Sequence, residues 1–236
     1  MKYTRYDMKR KKNNSLAFVV VFLSTLVFAV VIGTVISKLF FNNNLKEVIP
    51  KSEDKITDAA KKEDKKKVVR YIVVQCGVFG KNENAESVKK NLSVYGNAFT
   101  VLDEKGTRVL LGIYKEEQGL KTMKILSEKS IDNSKITFEI NILNNNACDE
   151  QVAAIIDAEL DVLTSLADSN TKSIDTKELK KWCSLEIKEV DKKSTNINVL
   201  NELKAHISTL PDELGKDKAS ECYIFLYNIL KKLTEK

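Results

Sequence analysis

An α+β fold is predicted for the folded part of this 236-residue chain, on three observations. Residues 68–143 alternate apolar and polar positions with the two-residue period of strands, broken by two stretches of helical period. From Asn146 onward the period is helical throughout. The chain has only two prolines and eight glycines, which argues against a loop-rich all-β protein. The full expectation is α+β: an N-terminal transmembrane helix, then a β-α-β-β-α-β domain with a four-stranded antiparallel sheet and two helices on one face, then an all-α helical bundle domain.

Residues 1–15 read as a basic cytoplasmic tail, with Lys2, Arg5, Lys9, Arg10, Lys11 and Lys12 against Asp7 alone. Residues 16–37 are a run of 22 without a charge, about 33 Å long as a helix, against a hydrocarbon core of about 30 Å. A secretory signal has a shorter apolar stretch and a small-residue cleavage site, whereas this run continues into Lys38, Leu39 and two phenylalanines. It reads as an uncleaved single-pass anchor in a cell membrane. The basic residues before it predict a cytoplasmic N-terminus and extracytoplasmic C-terminal domains. Residues 38–67 carry nine positive and six negative side chains and few apolar ones, the composition of a charged flexible tether.

The formal net charge of +6 is concentrated at the N-terminus. Residues 68–145 carry eleven positive and nine negative groups, and residues 146–236 thirteen and seventeen. The folded parts are near neutral, so no nucleic acid is expected as a partner.

Within 68–145, strands are expected at Val69–Val78, Ala98–Leu102, Thr107–Tyr114 and Ile136–Leu143. The first helix carries Ala85, Val88 and Leu92 on one stripe, with Asn82 or Asn84 as its cap and Gly96 as a left-handed stop. The second, Glu116–Lys129, turns Leu120, Met123 and Leu126 inward. Strict alternation places Val109, Leu111 and Ile113 on one face of the third strand and Arg108, Leu110, Gly112 and Tyr114 on the other. Two helices cover one face only, so the second face is expected to meet solvent or a ligand. Beyond Asn146, apolar stripes at Val152–Leu166, Leu179–Val190, Leu200–Leu210 and Ala219–Leu233 predict four amphipathic helices.

Residues 68–143 resemble the SPOR domain family. The likeness rests on Tyr71, on Val-Gln-Cys-Gly-Val-Phe at 74–79, on Asn84-Ala85 opening a helix, and on Arg-Val-Leu-Leu-Gly-Ile-Tyr at 108–114. The resemblance implies binding of septal peptidoglycan glycan strands stripped of stem peptides, with Gln75, Val78, Arg108, Leu110 and Thr137 as glycan-binding residues on the open sheet face. An amide both donates to and accepts from sugar hydroxyls, and arginine offers a fork of donors. Val78 stands where many members have a small hydroxyl residue, and no aromatic ring precedes Arg108. A surface ion pair with a residue such as Glu139 is an equal reading of Arg108.

Cys76, Cys148, Cys183 and Cys222 all follow the anchor, and an even count outside the cytoplasm permits disulfides. Some members of the family pair a first-strand cysteine with one in the last strand. Here Cys148, just past that strand, is the nearest partner for Cys76, leaving Cys183 with Cys222. Spacing does not choose among three pairings, and four free thiols are an equal alternative. The single histidine, His206, and the lack of a Cys-x-x-Cys pair give no zinc pattern, and no cofactor or catalytic set is expected.

The expected function is therefore a non-catalytic, membrane-anchored cell-wall-binding protein in cell division or sporulation. The alternative is a membrane-anchored adaptor whose helical domain recruits division or sporulation proteins without binding glycan.

Overall fold

The computed structural model describes residues 66–143 and 146–234. Strand β1 (Lys66–Phe79), helix α1 (Asn82–Leu92), strands β2 (Phe99–Asp103) and β3 (Gly106–Lys115), helix α2 (Glu116–Glu128) and strand β4 (Ser134–Leu143) follow the order the periodicity requires. They form one sheet in the order β2-β3-β1-β4, with every neighbouring pair antiparallel. One sheet face packs on α1 and α2 through Ile72, Val74, Val109, Leu111 and Tyr114.

Helix α1 buries Ala85 and Leu92 as its stripe demands. Its cap position is Lys81, without a side-chain bond, so neither Asn82 nor Asn84 caps it. Gly96 is no left-handed stop: among the described glycines only Gly77 and Gly106 have positive φ. In α2, Leu126 points inward but Leu120 is exposed, and Gly119 takes the inward place. A Cβ there would stand 2.7 Å from the Cβ of Ile72, so only glycine lets α2 lie this close to β1.

The central pairing slips twice. Val74 lies opposite Gly112, Gln75 opposite Leu110, and Gly77 opposite Val109, which leaves Leu111 and Cys76 as extra residues in the ladder. Gly77, at φ 152°, takes the backbone conformation that the bulge requires. The bulges break the alternation: Val109, Leu111 and Tyr114 join the core under α1 and α2, while Leu110 and Ile113 join the core on the other face. The expected grouping of Ile113 with Val109 and Leu111 fails at this point.

The remaining chain forms helix α3 (Ala147–Leu166), strand β5 (Ser173–Asp175), helices α4 (Lys177–Glu186) and α5 (Ile197–Thr209), strand β6 (Glu213–Gly215) and helix α6 (Lys216–Thr234). Asn146 caps α3 by accepting from the backbone N–H of Cys148 at 3.0 Å. Strands β5 and β6 pair as a two-stranded antiparallel ribbon that the helical periodicity did not predict.

The fold class needs correction on two points. First, these helices do not make a bundle domain of their own. Tyr71, Val73, Phe99, Leu110, Ile113, Phe138, Ile140 and Ile142 on the second sheet face share one core with α3, α5 and α6. Stacked rings of Phe99 and Tyr223, 5.2 Å between centroids, and the edge contact of Phe138 with Tyr227 at 5.7 Å fix α6 on the sheet. Second, no helix among the described residues is long and apolar enough to cross a membrane. The tail, anchor and tether expected at 1–15, 16–37 and 38–67 lie outside the described residues, apart from the last two tether residues, which begin β1.

The sheet face expected to be open is therefore filled. Eight large side chains at about 2 kcal/mol each make its exposure cost on the order of 15 kcal/mol, as much as the whole stability of a typical domain. The helices do not swing away to admit a polymer.

Candidate functional site

Three of the five residues implied for glycan binding come together where the ends of β1 and β3 pair, with Val78 exposed and Gln75 and Arg108 half-buried. Arg108 Nη1 donates to the side-chain oxygen of Gln75, whose Nε2 donates to Ser134 Oγ at 3.3 Å, and Val78 lies opposite Arg108 in the ladder. Arg108 Nε also donates to the Asp103 carboxylate, holding that carboxyl below its usual range. Its ion-pair partner is thus Asp103 and not Glu139, which pairs with Arg70 at 2.7 Å. Part of the hydrogen-bonding capacity of this ledge is spent within the molecule.

The other two do not belong to it. Leu110 is fully buried under the C-terminal helices. Thr137 lies opposite Ile72 and shares the sheet face of α1 and α2, away from Gln75.

A cleft of about 810 Å³ lies between the end of α1 and the start of α6. Lys89, Lys90 and Lys216 line it with Asn97, Ser169 and Ser220, and so do the acidic Glu86 and Asp168. Lys89 pairs with Glu86 at 3.4 Å, and Lys216 Nζ donates to the Asp168 carbonyl at 2.6 Å. The Asn97 Nδ2 atom is buried with no hydrogen-bond acceptor among the described residues. The cleft thus offers ammonium groups to an anionic ligand. Ser93 Oγ in its lining donates to the Lys90 carbonyl at 2.7 Å.

A third cluster lies among the helices. Glu159 of α3 is fully buried, and its Oε1 meets His206 Nε2 of α5 at 2.8 Å. The His206 ring stacks on Phe225, 3.7 Å between centroids. Cys222 of α6 completes the set, and one donor atom from each of the three lies within 4.8 Å of the others. Burial pushes the Glu159 carboxyl up, a rise opposed by His206 and Cys222. Burial, with Glu159 beside it, pushes the Cys222 thiol up to about 12. Among the described residues, these three are placed so that they could hold a metal ion. Linear spacing hid them because each sits on a different helix, with no local ligand pair to mark it.

The four cysteines are all buried, and none is in a disulfide. Cys76 belongs to the core under α1 and α2 and Cys148 to the core on the opposite sheet face, so the sheet itself separates that expected pair. Cys183 and Cys222 are likewise unlinked.

No protein-family model, curated protein or solved structure matches this chain.

Proposed function

We propose that this chain is a non-catalytic adaptor that captures an acidic segment of a partner protein in the cleft between α1 and α6. The observation that carries the reading is the cleft itself: about 810 Å³, with Lys89, Lys90 and Lys216 outnumbering Glu86 and Asp168 in its lining. Carboxylates of an acidic segment suit those ammonium groups. Placement at the outer side of a cell membrane is supported by the composition of residues 1–37 alone, and a role in division or sporulation by the resemblance alone.

The test is fluorescence anisotropy of the full chain with a labelled oligo-glutamate peptide. Saturable binding that weakens with salt, and falls by about tenfold or more in the Lys89→Glu/Lys216→Glu variant, is the expected result. Equal affinity in the variant and the parent rejects the reading.

A second reading, glycan binding, is favoured by the clustering of Gln75, Val78 and Arg108 where the ends of β1 and β3 pair. It predicts that the full chain pellets with denuded glycan strands and that Gln75→Ala/Arg108→Ala releases it. Pelleting that the double substitution leaves unchanged removes the ledge from consideration.

A further inference from the structure

We propose that Glu159, His206 and Cys222 are the protein ligands of a zinc-class divalent ion that ties helices α3, α5 and α6 together. The set offers one carboxylate oxygen, one imidazole nitrogen and one thiolate sulfur. That mixture suits a borderline-soft tetrahedral ion, whereas calcium and magnesium require oxygen-rich shells.

Geometry supports the assignment. Bonds of about 2.0–2.3 Å to one ion place neighbouring ligand atoms roughly 3.3–3.7 Å apart. The three donors already lie within 4.8 Å of one another, so side-chain rotations on the order of 1 Å bring them to those distances. The 2.8 Å contact between His206 Nε2 and Glu159 Oε1 is the hydrogen bond that an ion replaces.

A second, independent observation points to the same place. Glu159 is fully buried, and its Oε2 has no hydrogen-bond donor among the described residues. A carboxylate in that position is costly unless a cation neutralises it. The neutral imidazole of His206 supplies the second bond. Cys222 ligates as thiolate, releasing its proton to solvent.

Space for a fourth ligand lies beside two of the three residues. A cavity of about 400 Å³ is bordered by His206 and Cys222, with Thr209 and Glu221 on its wall. It has room for a water as the fourth ligand. Glu221 is held 2.8 Å from Lys218 Nζ and is not needed in the shell.

The experiment uses the full chain, reduced and treated with a chelator, then titrated with Co²⁺ and competed with Zn²⁺. The expected result is one Co²⁺ per chain, with tetrahedral visible bands and a thiolate-to-cobalt charge-transfer band that Zn²⁺ abolishes. Cys222→Ser, close to isosteric, loses the charge-transfer band. Glu159→Gln weakens Co²⁺ binding at least tenfold, and Cys183→Ser behaves as the parent. Saturating Zn²⁺ raises the melting temperature of the parent by roughly 5 °C and leaves both ligand variants unmoved. Absence of the charge-transfer band in the parent, or its survival in Cys222→Ser, overturns the proposal. So does equal stabilisation of parent and Glu159→Gln by Zn²⁺.

Discussion

The hydroxyl of Tyr71 donates to the Asp157 carboxylate at 2.9 Å, joining the central strand of the sheet to the helix that covers it. The same oxygen lies 3.2 Å from the Ala153 carbonyl. Burial, with Asp157 beside it, pushes the phenol far above its ordinary range, so it remains a donor. The contact is the polar counterpart of the apolar seam around it. Asp157 also meets Lys115 Nζ at 3.5 Å.

Removing that hydroxyl isolates its contribution. Tyr71→Phe keeps the ring in the core and loses the hydrogen bond to Asp157, which costs about 1–2 kcal/mol. Urea denaturation should show a lower midpoint with an unchanged slope. No change in midpoint would mean that the bond does not hold α3 to β1.

The Phe99–Tyr223 stack should be the larger determinant of whether α6 stays docked. Tyr223 is buried, and Tyr223→Ala leaves a cavity costing about 4 kcal/mol. A dye that reports exposed apolar surface should bind the variant and not the parent. Comparison with Phe99→Ala and the double variant should give an interaction energy of about 1 kcal/mol.

Gly119→Ala separates helix propensity from packing. Alanine gains about 1 kcal/mol in an isolated helix, but its Cβ would meet Ile72 at 2.7 Å, and overpacking costs about 1–3 kcal/mol. Net destabilisation is expected in thermal melts, partly relieved by Ile72→Val. An Ile72→Val background that gives no relief would place the strain elsewhere.

Two carboxylates set part of the acid response. Arg108 holds Asp103, and Lys180 holds Asp212, below the ordinary value of 3.8. Because the folded values are the lower ones, their contribution is complete above the unfolded range near pH 4 and disappears as pH falls through the depressed values. The Asp103→Asn/Asp212→Asn variant should therefore lose stability at pH 7 and show a flatter decline below pH 4. An identical pH profile in parent and variant would sink this expectation.

Thiol labelling tests the cysteine arrangement. Burial pushes the Cys76 thiol up to about 11 and Cys222 up to about 12, and all four cysteines are buried outside any disulfide. At pH 8 the native chain should label slowly at every cysteine, and the denatured chain should take up four labels without reductant. Two labels in the denatured chain would reveal a disulfide.

The order and extent of the first six elements were legible because each strand and helix carries its own period. Expected Thr107–Tyr114 became Gly106–Lys115, and expected Glu116–Lys129 became Glu116–Glu128. What periodicity could not supply was the partner of each face. The signal was nevertheless present: Tyr71-Ile-Val-Val and Leu110-Leu111 are apolar on both sides of their strands, the mark of a sheet covered twice. Reading only the polar alternation of Thr137, Glu139 and Asn141 on the edge strand β4 hid it. The bulges at Leu111 and Cys76 depend on long-range pairing and leave only Gly77 as a local clue. The Glu159, His206 and Cys222 cluster needed three helices to be docked before it could be recognised at all.

Helix α6 is the last described element, yet it packs against β2, β3 and β4, strands completed at least seventy residues earlier. While the chain is being made, those strands wait with one greasy side bare until the ribosome has released residues near 230. Any nonsense change after β4 should therefore yield a sticky fragment and not a smaller working domain. Whatever keeps the nascent chain from clumping must act throughout that interval.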